Sequence, residues 1–462
     1  MDHFFIRIVF ISLFLPMTAL SDTKPDKEIP EELEKIFEEH KLVGMSALVV
    51  YKDSVIFDAY HGISDIEKKR QVDDSTLYRV ASISKVLTAL AFMQLEEKGL
   101  VSLDDDISEL LGYKVQNPHS KDHTITPRML LSHTSTLKDG NAYDNFLTLT
   151  YGNPTPPNIS ELINPEGQYY GDNLWIKQIP GQYFTYSNLG YGILGTIIEK
   201  ISKTRFDVYV KENILDTLKI EGGFNVGNLK DPSDLAVLYR KTNGNWTPQA
   251  DYYPYGMPDQ VKYENYKTGT NGLIFAPQGG LRINARDLAK IMIMLMNNGR
   301  YKNIQIVKPE TLREMYQVQW QYNGMNGNTY YNLFNAWGLG IHLVNEMELG
   351  ENILPSRSLK GHSGEAYGLI SDMYFHENPD FGFIFMTNGS AKPFETGERS
   401  SFYKLEEDIA GFLFENYIMT QPEMKKMKGK ILRQSPDSFP NEVDNTRNPG
   451  DFFPTGDKDQ KK

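Results

Sequence analysis

The feature that most constrains the fold is an apolar run that closely follows a serine and a lysine. Of the ten residues from Val86 to Leu95 only two are polar, so a helix here has no charged face and must be buried. Gly99 stands where the C-terminal cap of such a helix is expected. Ser82 and Lys85 are three residues apart and share one face at its start. The sequence therefore predicts a buried helix with a hydroxyl and an amine together at its first turn.

This serine–lysine pair has two interpretations. Taken alone it is most simply a serine cap beside a solvated lysine, because short motifs of this kind recur by chance. A serine hydroxyl is a poor nucleophile until a base takes its proton, and a desolvated amine near the positive end of a helix has a lowered pKa. Motifs later in the chain favour this second, catalytic interpretation.

The composition excludes several classes of function. The chain has 462 residues and is 40% apolar, which is ample for a large core, and its length predicts two or three lobes. The 48 basic residues stand against 60 acidic ones, a net charge of −12, so no basic surface is expected for nucleic acid. The lack of cysteine excludes disulfides, thiolate catalysis and thiolate metal sites.

Residues 1–21 have the pattern of an export signal. Arg7 precedes an apolar run from Ile8 to Leu20, and small residues follow at the expected cleavage positions. The run is short for a membrane span and contains Pro16, so no stable span is expected after cleavage. The sequence therefore predicts a periplasmic or secreted protein.

The order of sequence patterns predicts an α+β fold. Strand patterns occur near both ends of the chain, with helices and long loops between them, which indicates an antiparallel sheet flanked by helices (an α/β sandwich) and an inserted all-helical lobe. The predicted sheet domain is discontinuous and comprises residues 22–100 and 270–419, and the helical lobe comprises residues 101–269. Residues 420–462 are charged and rich in Pro and Asn, and are predicted to be a flexible tail.

Within this plan, periodicity predicts individual elements. The expected helices are Leu33–His40, the central buried helix, Thr126–His133, Ile193–Ile201, Asn284–Asn297 and Leu405–Tyr417. The expected strands are Met45–Tyr51, Val55–Tyr60, Trp337–Val344, Ala366–Phe375 and Phe381–Thr387, and the expected ordered loops are Asn141–Tyr170 and Asn243–Tyr266.

Two later stretches complete a candidate site. Tyr186-Ser187-Asn188 precedes the second helical pattern, and Gly361-His362-Ser363-Gly364 precedes the strand predicted from Ala366. With Ser82-x-x-Lys85 they resemble the serine β-lactamase and penicillin-binding-protein superfamily, in particular its class C-like esterase and D-aminopeptidase branches. The resemblance covers roughly residues 30 to 418. Each motif is weak alone, but three in this order and spacing are specific.

The resemblance implies a β-lactamase/transpeptidase-like fold and a role for each motif residue. Ser82 would be the nucleophile, and Lys85 and Tyr186 would handle its proton, with the identity of the base left open. Asn188 would bind Lys85 and the substrate amide. The backbone N–H groups of Ser82 and Glu365 would form the oxyanion hole.

The third motif departs from the β-lactamase pattern. His362, followed by Gly364, occupies a position that is lysine in β-lactamases proper, and histidine is mostly neutral at neutral pH. The sequence thus favours a peptidase, amidase or esterase over an efficient penicillinase. Glu365 stands where the family usually has a small residue, and its carboxylate would repel anionic substrates if it faced the cleft. Thr136 stands where a glycine often follows Ser135.

The prediction is an exported serine hydrolase that forms an acyl-enzyme on Ser82, needs no metal or organic cofactor, and acts on a small-molecule or peptide substrate such as a D-amino-acid peptide or an ester. The alternative is a catalytically weak or inactive ligand-binding or sensor protein of the penicillin-binding type. Gly361-x-Ser363 could start an α/β-hydrolase elbow, but Glu365 replaces its second glycine. His119-x-x-Asp122-His123 has metal-binding residue types, yet it lies in a polar loop pattern, which disfavours zinc.

Overall fold

A computed structural model describes residues 29–431, apart from residues 154, 256–262, 264, 346–349, 355–356 and 379. The predicted signal, residues 1–21, lies outside the described residues, as does the predicted tail beyond residue 431. No helix in the described part of the chain is both long and apolar enough to cross a membrane.

The described residues form the following regular elements. The α-helices are α1 (Glu31–Glu39), α2 (Ser84–Glu97), α3 (Ile107–Leu111), α4 (Pro127–Leu131), α5 (Asn141–Gly152), α6 (Ser160–Ile163), α7 (Asn188–Ser202), α8 (Phe206–Val210), α9 (Ala285–Met296), α10 (Pro309–Met315), α11 (Lys404–Leu413) and α12 (Pro422–Ile431). The strands are β1 (Gly44–Tyr51), β2 (Ser54–Asp65), β3 (Arg70–Gln71), β4 (Tyr78–Arg79), β5 (Gly222–Gly223), β6 (Leu238–Thr242), β7 (Asn245–Ala250), β8 (Arg282–Ile283), β9 (Arg300–Tyr301), β10 (Ile304–Gln305), β11 (Trp320–Gln321), β12 (Ala336–Trp337), β13 (His342–Val344), β14 (Leu359–Ala366), β15 (Leu369–His376) and β16 (Phe381–Thr387).

The main sheet is antiparallel throughout its described strands. Its order is β11-β12-β13-β14-β15-β16-β1-β2-β3, so the N-terminal hairpin joins the C-terminal strands at β1 and β16, where Met45 lies opposite Thr387. The remaining described strands form small sheets, including β4-β8-β5 next to Ser82. This sheet, with helices on both faces, confirms the predicted α+β class.

Strand β1 shows why the sheet has a helical layer on each face. All its residues are buried, and the side chains alternate between two hydrophobic clusters. Leu48 and Val50 join the cluster that contains α9, whereas Ala47 and Val49 join the one that contains α1 and α11. A strand covered on both faces is apolar at every position, which is the pattern that its sequence shows.

Several predicted elements differ from the structure. The predicted strand Trp337–Val344 is two strands, β12 and β13, because the chain turns at Gly340, whose φ is +73°. The strand predicted from Ala366 begins at Leu369, after a tight turn, and the motif around His362 lies inside β14 rather than before a strand. The predicted loop 141–170 contains α5 and α6.

The start of the predicted tail contains helix α12. Met424 is fully buried, and Glu423 accepts hydrogen bonds from Lys52 (2.9 Å) and Tyr51 (3.1 Å), which attaches the helix to the β1–β2 hairpin. The division of the chain at residues 101, 270 and 420 stays a prediction.

Candidate active site

Ser82 lies in a short 3-10 turn, Ala81–Ile83, that leads directly into α2. The turn is held at its start, because Val80 N–H donates to Leu281 O (2.9 Å) and β4 pairs with β8. Ser82 is 4% exposed. The predicted central helix is observed over Ser84–Glu97, and Gly99 adopts the left-handed conformation (φ +67°) typical of a helix cap.

Lys85 is fully buried in the first turn of α2 and makes three hydrogen bonds. Its Nζ lies 3.0 Å from Ser82 Oγ, 2.8 Å from Asn188 Oδ1 and 2.7 Å from the carbonyl oxygen of Gln278. Burial lowers the pKa of this amine well below its usual value, although the carboxylate of Asp139 raises it in part. The structure therefore places an amine that readily loses its proton beside the serine hydroxyl.

Tyr186 reaches the same place from the segment before α7. Its ring stacks on His133 (centroids 4.2 Å apart), and Lys85 Nζ lies 4.8 Å from the Tyr186 ring centroid. Burial raises the pKa of the phenol well above its usual value, and its hydrogen bond with Ser82 lowers the pKa in part. The phenol is thus neutral at neutral pH and next to both Ser82 and Lys85.

Asn188 is the first residue of α7, and Asp139 fixes that end of the helix. Asp139 Oδ2 accepts from the N–H of Asn188 (2.8 Å), and Oδ1 accepts from Leu189 N–H (3.0 Å) and Ser187 Oγ (3.2 Å). A carboxylate at a helix N-terminus satisfies N–H groups that have no partner within the helix. Sequence analysis missed Asp139, because nothing in its local pattern points to partners about fifty residues away.

His133 supports the Tyr186 segment from behind. The N–H of Ser187 donates to His133 Nδ1 (3.0 Å), which therefore has no proton. The residue is 1% exposed, and burial lowers its pKa well below the usual value. A neutral ring packed on Tyr186 thus fixes the position of the phenol. The sequence placed His133 at the end of a predicted helix and gave no sign of its contacts with Tyr186 and Ser187.

His362 and Gly364 lie in β14, against the Ser82 turn. A Cβ on Gly364 would lie 2.5 Å from Val80 O and 2.5 Å from Ser371 Oγ, so only glycine lets the strand come this close. His362 is fully buried, its Nδ1–H donates to Ser363 O (2.6 Å), and its ring lies edge-on to Tyr186. Burial lowers its pKa well below the usual value, so the ring is neutral at neutral pH.

The two departures from the family pattern have different surroundings. Glu365 is partly buried, and its carboxylate accepts a hydrogen bond from Tyr403 Oη (2.8 Å) just before α11, which commits that oxygen to the protein. Thr136 is fully buried at φ +68°, a conformation that favours glycine, and Asn117 Nδ2 donates to its hydroxyl (2.8 Å). In the described residues, no group of three or more His, Cys, Asp or Glu side chains could hold a metal ion.

The structure therefore brings Ser82, Lys85, Tyr186, Asn188 and His362 together, although they come from three distant parts of the chain. A hydroxyl beside an amine of lowered pKa and a neutral phenol can form an ester with a carbonyl substrate, because proton acceptors and donors lie within hydrogen-bond reach of the oxygen. Strand β14, which carries His362 and Gly364, packs on the turn that contains Ser82.

Comparisons with known proteins identify the family and the fold. The family model described as Beta-lactamase matches residues 28–405. Protein flp of Staphylococcus aureus (strain N315) is 30% identical over 202 residues, which span 44% of this chain and 38% of that protein. The chain thus matches about two fifths of the length of this curated relative.

Solved structures share the fold. The octameric penicillin-binding protein homologue from Pyrococcus abyssi has a TM-score of 0.61 and 22% identity, covering 86% of this chain and 79% of that one. The D-amino acid amidase from Ochrobactrum anthropi SV3, solved in complex with D-phenylalanine, has a TM-score of 0.56 and 20% identity, covering 83% of this chain and 98% of that one. The fold is therefore β-lactamase/transpeptidase-like, as the sequence resemblance implied.

Proposed function

Because the chain belongs to the beta-lactamase family, we propose that it is a serine hydrolase that forms an acyl-enzyme on Ser82. The observation that carries this proposal is the 3.0 Å contact between Lys85 Nζ and Ser82 Oγ, with Lys85 fully buried. An ammonium ion that merely capped the turn would be solvated, whereas this amine is desolvated and its pKa is lowered.

In the proposed acylation step, Lys85 is the base. Its pKa is lowered by burial, while burial raises that of Tyr186, so the neutral amine is far more accessible near neutral pH than a phenolate. Ser82 Oγ gives its proton to Lys85 Nζ and forms a bond to the carbonyl carbon. The N–H groups of Ser82 and Glu365 stabilise the resulting oxyanion.

The proposed intermediate then collapses and is hydrolysed. The bond from the carbonyl carbon to the leaving nitrogen or oxygen breaks, and the proton held by Lys85 passes to that atom, with the Tyr186 phenol as a neighbouring relay. Water next attacks the Ser82 ester and gives a proton to Lys85. The bond from the carbonyl carbon to Ser82 Oγ then breaks, Lys85 returns the proton to Oγ, and the carboxylic acid is released from the free serine. Asn188 holds the amine in place throughout, through its 2.8 Å contact.

The proposed substrates are amides, peptides or esters, with D-amino-acid compounds and esters ahead of penicillins. The neutral, buried His362 supports this order, because it supplies no fixed positive charge where β-lactamases have a lysine. The structural neighbour described as a D-amino acid amidase supports the same class. The proposal includes export, for which residues 1–21 are the sequence signal.

The test is covalent labelling of the purified protein with a fluorescent fluorophosphonate and with a fluorescent penicillin. We expect Ser82→Ala to abolish labelling. Ser84→Ala is the matched control, because Ser84 Oγ accepts from the N–H of Leu281 instead of meeting Lys85, and it should still be labelled. Equal labelling of wild type and Ser82→Ala would exclude this nucleophile. Ligand binding without turnover that survives Ser82→Ala would favour the sensor alternative.

A further inference from the structure

A cavity of about 230 Å³ adjoins the Ser82 turn and has no role in the chemistry above. Its walls combine two guanidinium groups with aromatic rings, including Arg79, Arg282, Phe224, Tyr253, Phe275 and Tyr367. Arg79 stands three residues before Ser82 and is partly exposed. A cavity with cationic and aromatic walls next to a nucleophile is a candidate substrate pocket.

The cavity shares two backbone segments with the candidate active site. Arg79 Nε donates to Gly279 O (3.2 Å), and the neighbouring Gln278 O accepts from Lys85 (2.7 Å). Tyr367 lies two residues after Glu365, in the turn that directly follows β14, the strand that packs on the Ser82 turn. A substrate held at Ser82 therefore needs to extend only a short way to enter this cavity.

The charges around the cavity do not cancel. Arg282 is fully committed, because it forms a two-point ion pair with the buried Asp251 (2.7 and 3.1 Å). Asp207, behind the same wall, pairs with Arg205 (2.7 Å). Arg79 instead donates to a carbonyl and stacks on Tyr367, with Cζ 4.9 Å from the ring centroid. Among the described residues, this leaves the Arg79 guanidinium as a positive charge suited to a ligand.

The ring that stacks on Arg79 is held at a conformational cost. Ala366 pairs with Leu369 across a two-residue turn in which Tyr367 (φ +57°) and Gly368 (φ +95°) both have positive φ. Turns of this kind favour Asn, Asp or Gly at the first position, and a tyrosine there is strained. This strained turn places the Tyr367 ring over Arg79, at the junction of the cavity and β14.

We propose that this Arg79 cavity binds a part of the substrate that carries a carboxylate on an apolar or aromatic stem. The guanidinium would take the carboxylate through two N–H bonds, and Phe224, Tyr253 and Phe275 would contact the stem. The inference rests on the proposed function, since it assigns a charge to the substrate of Ser82. Under this proposal Arg79, on another wall of the cleft, supplies the positive charge that the neutral His362 does not.

The test compares arylboronic acids, whose boron accepts an electron pair from Ser82 Oγ while the serine proton leaves to solvent. The matched pairs are 3- and 4-carboxyphenylboronic acid and the corresponding carbamoylphenylboronic acids, assayed as inhibitors of p-nitrophenyl acetate hydrolysis. Each compound has one aryl group, which can enter the Arg79 cavity while the boron is bonded to Ser82. We expect wild type to bind one carboxylate about 10-fold more tightly than its carboxamide, as one charge-assisted contact provides.

Arg79→Gln should abolish that ratio, which is measured within one protein and is therefore independent of overall activity. Arg79→Lys, the second variant should the glutamine variant not fold, should reduce the ratio but keep its sign. Arg286→Gln, on the surface of α9, is the matched control and should keep the full ratio. A wild-type ratio of one, or a ratio unchanged in both Arg79 variants, would overturn the inference. Absent hydrolysis and labelling in wild type would instead contradict the proposed function.

Discussion

At the scale of single residues, the state of Lys85 decides how activity depends on pH. A base must be neutral, so kcat/KM for an uncharged ester should rise as pH increases through the pKa of Lys85. Burial lowers that pKa, so the rise should lie well below the usual lysine value of 10.5. His362 is neutral over the neutral range, so its titration should leave no step there. A pH–rate profile checks both, and a rise near 10.5 would contradict the role of Lys85.

Lys85→Arg separates charge from basicity at the same position. The guanidinium keeps a positive charge but does not give up its proton, so it cannot accept one from Ser82. We expect kcat/KM to fall by about 10²- to 10⁴-fold. The comparison is ester hydrolysis by folded wild type and variant, with circular dichroism as the check on folding. Near-normal hydrolysis by the arginine variant would rule Lys85 out as the base.

The backbone of Thr136 is strained, because its φ is positive and its side chain is β-branched. Thr136→Gly removes the strained side chain at φ +68° and loses two hydroxyl contacts, with Asn117 and with Ser135 O. The relief of strain offsets that loss, so unfolding free energy should change by less than about 1 kcal/mol. Thr136→Val keeps the branched side chain and its strain but loses the same two hydroxyl contacts, so nothing offsets the loss and it should cost about 1–3 kcal/mol. Urea unfolding measures both values, and equal costs for Gly and Val would refute this account.

At the scale of elements, the N-terminus of α7 links Asp139 to the candidate base. Asp139 is a positioning residue that holds Asn188, and its negative charge raises the pKa of Lys85. Asp139→Asn keeps a hydrogen-bond acceptor but removes the charge. The rise of kcat/KM with pH should therefore shift to lower pH, and kcat should fall more than KM changes. A purely structural role would reduce stability without moving the pH profile, and that outcome would count against the link.

Sequence patterns predicted those elements that carry their own signal. Strand β1 is apolar at every position and α2 is apolar on all sides, so both were predictable from local composition. Strand β14 has two glycines and three charged or titratable residues in eight, and it is a strand because β13 and β15 pair with its two edges. Its motif was found through family resemblance. Asp139 and His133 act on residues about fifty positions away, and periodicity carries no information about such contacts.

At the scale of the whole molecule, a buried acid pair joins the sheet to a helix. Asp372 in β15 and Glu406 in α11 are at most 5% exposed, and burial together with the facing Glu406 carboxyl raises the pKa of Asp372. The folded state thus retains a proton that the unfolded chain loses near pH 4. The stability linked to this proton is present at low pH and is lost as pH rises through the folded-state pKa.

Asp372→Asn tests this coupling. The amide keeps a hydrogen-bond donor toward Glu406 and cannot ionise, so the variant should lose less unfolding free energy than wild type between pH 5 and pH 8. Denaturant unfolding at the two pH values gives the comparison, and taking the difference between proteins cancels contributions from other titrating groups. Parallel pH dependence in wild type and variant would show that the pair does not titrate in this range.

The pairing of β1 with β16 also has a consequence for biosynthesis. Met45 pairs with Thr387, so β1 and β16 cannot pair until the ribosome has added 342 further residues (387 − 45). At about 5–20 residues per second, that delay is roughly 20–70 s. For most of that delay Ser82 has been translated, but β14, the strand that packs against its turn, has not. The nascent polypeptide therefore stays without an assembled reaction centre until β14, which begins 277 residues (359 − 82) after Ser82, has been translated.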